Sequence, residues 1–229
     1  MFDTLFGMKS KAFAILIFAI LFSRICLAAT STINQKELRQ EDRQWSVMFY
    51  HGNTSTQSLG KLLHFKYTSA GEELYSGELA YALAATNPIT RFFNYFFINR
   101  IQLAGNVAER HDYKAPDKGD KWVTEFDLYL MGRITRWPWS NYLVTTLAVG
   151  EGISYDTHRI YVENGITGTS SPLFLNFLTF ELTLALPGYP YLELVGRIHH
   201  RSGCWGLYYP YSEHPGSNNV GVGIRYYFH

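Results

Sequence analysis

The sequence predicts an all-β protein, an eight-stranded antiparallel up-and-down transmembrane β-barrel. Three observations predict it: eight segments that alternate apolar with polar residues, a surplus of aromatic side chains, and connections that are alternately tight and long. Aromatics make up 17% of the chain, with Tyr 17 and Phe 16, and past the leader no apolar run is long enough for a spanning helix.

The chain opens on a segment expected to lie outside the barrel. In "MKSKAFAILIFAILFSRICLAAT", Lys9 and Lys11 precede an apolar core over residues 12–22, and small residues surround Ala28. That is the pattern of an export signal cleaved after Ala28, which leaves residues 29–229 as one barrel domain. The core is about half as long as a spanning helix and Arg24 follows it closely, so it reads as a removed peptide and not an anchor. Ser23, Arg24 and Ile25 ahead of Cys26 match a lipoprotein site poorly. Loss of Asp3, Lys9, Lys11 and Arg24 with the leader takes 20 basic and 19 acidic residues down to 17 and 18. A balance so near neutrality gives no support for nucleic-acid binding. Cys204 is then the sole cysteine, which excludes an intramolecular disulfide and a cysteine-based zinc cluster.

Strands are expected at about 44–51, 73–82, 99–110, 121–135, 141–155, 174–186, 190–201 and 218–228. The fourth is the clearest. Trp122, Thr124, Phe126, Leu128, Leu130 and Ile134 share one face, and Glu125, Asp127, Tyr129 and Arg133 the other. The sixth sets Leu178, Phe180, Leu182 and Leu184 against Thr179, Glu181 and Thr183. The last sets Val220, Val222, Ile224, Tyr226 and Phe228 against Gly221, Gly223, Arg225 and Tyr227. With the apolar face toward lipid, Glu125, Asp127, Arg133, Glu181, Glu193, Arg197 and Arg225 turn inward, where buried charges require partners. A structural ion-pair network is the expected result.

"RWPWSN" and "LPGYP" are tight turns, with Trp137, Trp139, Tyr189 and Tyr191 beside them as one interfacial girdle. The long loops fall at about 52–72, 111–120, 156–173 and 202–217. "AATNPITRFFNYFF", residues 84–97, stands where a tight turn belongs, and reads as either an interfacial segment or an extension of both strands. Periodicity by itself does not distinguish this barrel from a soluble, lipocalin-like one with its apolar side chains inside. The girdle, the unequal connections and the aromatic Phe228 favour the membrane.

The seventh strand carries the chemistry. In "LELVGRIHHRSGCWG", Leu192, Leu194, Ile198, His200 and Ser202 share the lipid-facing parity, and Glu193, Arg197 and His199 the opposite one. A polar pair on the outer wall is costly without a function. Side chains two apart on a strand stand about 7 Å from each other, and an imidazole can reach along the strand to the hydroxyl. A serine is a weak nucleophile until a base removes its proton, so His200 and Ser202 form a candidate base and nucleophile, with Gly203 and Cys204 supplying backbone N–H groups to an oxyanion. Two other readings stay open: His200 as a lipid-phosphate contact, and Cys204 as the nucleophile. Arg201, like His199 and Arg197, reads equally as a lumen or rim charge, and Arg201 is also a candidate for holding a lipid phosphate.

"RIHHRSGCWGLYYPYSEHPGSNNVGVGIRYYF" resembles the C-terminal part of the PagL-type lipid A deacylases, outer-membrane barrels that hydrolyse an acyl ester of lipopolysaccharide. The resemblance implies His200 as base and Ser202 as nucleophile, no metal and no cofactor, lipid A or lipopolysaccharide and the membrane as partners, and the outer membrane of a Gram-negative bacterium as location. Whether a homodimer forms is left open. The chain departs from the family twice. Gly203 replaces the asparagine that helps hold the oxyanion, and Asn218 stands where the family has a glutamate that orients the histidine. Glu213, five residues earlier, is the second candidate for that acid. A barrel whose function resides in its extracellular loops, structural or adhesive, is the non-enzymatic alternative.

Overall fold

The computed structural model describes residues 43–113, 122–163, 171–203 and 216–228; the expected leader, Cys204 and Glu213 lie outside the described residues. Eight strands form: β1 (Trp45–Ser55), β2 (Ser69–Ala82), β3 (Arg100–Asp112), β4 (Trp122–Ile134), β5 (Val144–Asp156), β6 (Phe174–Ala185), β7 (Leu192–Ser202) and β8 (Gly216–Phe228). Each pairs antiparallel with the next, and β8 closes on β1. Closure leaves no strand edge unpaired, which a hydrocarbon environment demands of a sheet. The shortest strands have 11 residues, and crossing a bilayer takes about 9–11.

Sidedness separates the two barrel alternatives. Phe49, Leu128, Leu194 and Val222 are exposed on the outer wall, by 73%, 52%, 57% and 61%. Inside, Glu125, Asp127, Arg133, Glu181, Glu193, Arg197 and Arg225 are all buried. Apolar surface outside and charge inside is the inverse of a lipocalin, and defines a transmembrane barrel.

The buried charges divide into two groups along the lumen. Toward the tight-turn end, Glu181 accepts from Arg197 Nε at 2.7 Å, Arg225 Nη1 at 2.7 Å and Arg133 Nη1 at 3.1 Å. Glu78 accepts from Arg225 at 3.0 Å and pairs with Arg197, while Glu193 accepts from Thr183 at 2.9 Å and from Tyr227 at 3.2 Å. Toward the long-loop end, Arg110 donates to Glu72 and to Glu125. Small apolar clusters fill the remaining space, among them Ala80, Ala104, Tyr129, Met131, Ala148 and Phe177.

Strand ends depart from the sequence expectation where the chain turns polar. β1 runs on through Asn53 to Ser55 and β2 begins at Ser69, with a helix α1 (Leu59–Leu63) between them. β5 begins at Val144 because a hydrogen-bonded turn holds the residues before it, with Leu143 N donating to Trp139 O at 3.1 Å. Residues 84–97 extend neither strand. They hold a second helix, α2 (Pro88–Asn94), whose Asn87 side chain caps Ile89 N at 2.9 Å with Pro88 in the first turn. Phe92, Tyr95, Phe96 and Phe97 are exposed on and just after it. They extend the aromatic band of this barrel end, where Trp137 stacks on Trp139, Trp45 packs on Tyr81 and Tyr191 on Tyr226.

Candidate active site

β7 and β8 are joined in a register that opposes His200 to Asn218 and Ser202 to Gly216. Alternation along β7 sends His200 and Ser202 to the outer wall, both half-buried, and sends His199 and Arg201 into the lumen. The pair therefore lies at the long-loop end of the barrel, on the lipid-facing side.

Asn218 Oδ1 lies 2.7 Å from His200 Nδ1, and Asn218 Nδ2 donates to the backbone carbonyl of Gln57 at 3.0 Å. These two contacts together fix the tautomer. A carbonyl oxygen only accepts, so the amide nitrogen must face Gln57 and the amide oxygen must face the ring. An amide oxygen also only accepts, so Nδ1 carries the proton and donates it. In the neutral ring the lone pair is then on Nε2, the form a general base requires. The partner of His200 is thus a neutral acceptor from β8. It orients the ring but brings no negative charge to an imidazolium.

Gly216 makes the close approach at Ser202 feasible. Its φ is +134°, and a Cβ there would stand 2.0 Å from the carbonyl oxygen of Arg201. Gly203, next after Ser202, is buried. Its backbone is the described part of the expected oxyanion donors.

Of the two readings of Arg201, the structure takes the lumen charge and not the lipid-phosphate contact. Its side chain is fully buried in the lumen, where it donates to Glu163 at 2.8 Å and to Ser154 at 2.9 Å and pairs with Asp156. A guanidinium so enclosed and so engaged does not reach a lipid phosphate. Arg201 instead supports the site from behind: Glu163 accepts from Ser217 Oγ at 2.7 Å, and Ser217 adjoins Asn218. Burial pushes the Glu163 carboxyl up, but the guanidiniums of Arg201 and Arg110 outweigh it and hold the group below the usual carboxylate range.

Gln57, Gly216 and Glu163 are the site residues that sequence reading missed. Gln57 offers only its backbone, and Glu163 lies in a connection outside any alternating segment. Gly216, in "HPGSNN", did carry a signal, as a glycine at the start of a strand.

The chain matches no protein-family model and no curated protein. Among solved structures it is similar to the outer membrane enzyme PagL, with 11% identity and a TM-score of 0.48 over 79% of this chain and 98% of that one. Neisserial surface protein A is similar at 11% identity and a TM-score of 0.45, over 80% and 96%. The attachment invasion locus protein Ail of Yersinia pestis is similar at 12% and 0.34, over 80% and 99%. One of these is named as an enzyme and the others are not. At such identities and TM-scores these likenesses carry no statement about what this chain does; its barrel rests on its own closed sheet.

Proposed function

We propose that the protein is an outer-membrane esterase that hydrolyses an acyl ester of lipid A, with His200 as general base, Ser202 as nucleophile and Asn218 as the group that orients the histidine. The observation that carries this reading is the contact of His200 Nδ1 with Asn218 Oδ1 at 2.7 Å, on the outer wall, two residues from a serine of the same face. The C-terminal resemblance to the PagL-type deacylases adds the substrate class and a Gram-negative outer membrane as the location. Glu213 remains the alternative acid.

Ser202 Oγ attacks the ester carbonyl carbon as its proton passes to His200 Nε2. The tetrahedral oxyanion is held by backbone N–H groups that follow Ser202, from Gly203 and Cys204. Collapse of the intermediate expels the sugar or hydroxyacyl alkoxide, which takes the proton back from His200. Water, deprotonated by the same nitrogen, then attacks the acyl-serine, releasing the fatty acid and restoring Ser202. No metal or cofactor takes part in these steps. An ester at the head of an acyl chain in the outer leaflet reaches such a site laterally, so no deep pocket is required.

Mass spectrometry of lipid A after incubation with the detergent-folded protein tests the proposal. Loss of one acyl group with wild type, and none with Ser202→Ala, is the expected result. Unchanged lipid A with both proteins from neutral to alkaline pH would overturn it and favour a barrel that acts through its loops.

A further inference from the structure

Among the described residues, the upper lumen holds more buried carboxyl groups than guanidiniums. Glu72, Glu125, Asp127, Asp156 and Glu163 are buried there, and among the described residues Arg110 and Arg201 are the guanidiniums that reach them. Both are engaged with Glu72, Glu125, Asp156 and Glu163, and no described Arg or Lys pairs with Asp127. A buried carboxylate without a cation is among the costliest states in a folded protein.

Asp127 also has specific company. It shares the inner face of β4 with Glu125, and His199 meets them from β7 across the narrow lumen. Ligand atoms of Glu125, Asp127 and His199 all lie within 4.8 Å of one another. The His199 ring is fixed through Nε2, 2.6 Å from Glu125 Oε1, and Phe177 packs edge-on against it at 4.7 Å. Asp127 is held through Oδ2, which accepts from Asn106 Nδ2 at 2.8 Å. Asp127 Oδ1, His199 Nδ1 and Asn106 Oδ1 are all buried with no hydrogen-bond partner. Three orphaned polar atoms, on residues already positioned by their other ends, are what a site lacking its central ion looks like.

We infer that Glu125, Asp127 and His199 bind a divalent transition-metal ion of the zinc class inside the barrel, joining β4 to β7. One imidazole with two carboxylates suits zinc, whereas calcium and magnesium take oxygen donors. The ion would take up the unpartnered Asp127 Oδ1 and His199 Nδ1, which Arg110 and Arg201 leave unmet. Its role is structural. It is separate from the hydrolytic chemistry on the outer wall, and the inference does not rest on the esterase reading.

The test uses the detergent-folded full-length protein, stripped with chelator, dialysed against micromolar ZnCl2 or CaCl2 and passed through gel filtration before elemental analysis. Wild type should retain about one zinc per chain, no calcium, and show a higher unfolding midpoint with zinc than without. Cys204→Ser should retain the zinc; Asp127→Asn and His199→Gln should each lose it. Cobalt in wild type should give ligand-field bands without thiolate charge transfer, a readout that does not depend on the variants folding. Zinc content in wild type no higher than in Asp127→Asn, or zinc lost in Cys204→Ser, would overturn the inference. So would a wild type that binds no zinc beside an Asp127→Asn variant of raised unfolding midpoint, because Asp127 and Glu125 would then share a proton.

Discussion

At the scale of single residues, the proposed chemistry depends on what Asn218 supplies to His200. Asn218 fixes the tautomer through its own bond to the Gln57 carbonyl, so Asn218→Ala should release the ring and lower the rate of lipid A deacylation by about 10². Asn218→Asp should do the opposite. A carboxylate at the same point still accepts from Nδ1 and also stabilises the imidazolium formed during attack, so kcat should rise with little change in KM. Initial rates of fatty-acid release from lipid A in mixed micelles check both. The contact was foreseeable in sequence, since Asn218 has the parity of Val220 and Val222. That Gln57 sets the amide's orientation was not, because a backbone carbonyl leaves no trace in side-chain pattern. The choice between the lumen and lipid-phosphate readings of Arg201 needed the strand's end. Strand alternation holds through Ser202, so position 201 stays in the lumen to the last residue of β7 and finds Glu163 there.

At the scale of elements, the eight strands were legible wherever one wall is lipid and the other lumen, because that contrast enforces period two. Legibility ended where both walls become polar: β1 from Gly52 to Ser55 and β2 from Ser69 to Glu72 read as loop, yet they continue the ladder. Helix α2 was hidden by the reverse condition, a segment of aromatics without period two. The β7–β8 junction gives the prediction that belongs at this scale. Gly216→Ala places a Cβ against the Arg201 carbonyl at a φ that L-residues avoid, a strain of about 1–3 kcal/mol. The strands must part beside Ser202, so deacylation should be lost while the barrel still shows heat-modifiable migration on a gel. Retained activity would mean that the junction is freer than the register implies.

At the scale of the whole molecule, ion pairs cross the lumen between small apolar clusters. Glu181 serves three arginines, so Glu181→Ala leaves Arg133, Arg197 and Arg225 short of an anion and should cost about 3–5 kcal/mol. Urea unfolding in detergent, followed by tryptophan emission, measures the loss. Glu163 adds a pH dependence. Its carboxyl titrates lower in the folded protein than the ordinary value of 4.5, so its contribution is present above pH 4.5 and is lost as pH falls below that value toward the folded one. Thermal midpoints measured from pH 6 downward should decline more steeply for wild type than for Glu163→Gln, and parallel curves would show that Glu163 is not held by Arg201 and Arg110.

The central claim joins these scales: a serine on the membrane-facing wall is a nucleophile because a histidine beside it is held as a base. The measurement that tests it most directly is covalent capture, in which the detergent-folded protein is treated with a long-chain alkyl fluorophosphonate and the labelled residue is located by peptide mass spectrometry. The account predicts a single adduct on Ser202, absent from His200→Ala and from protein unfolded before treatment. No adduct on Ser202, or one that forms equally well without His200, would contradict it.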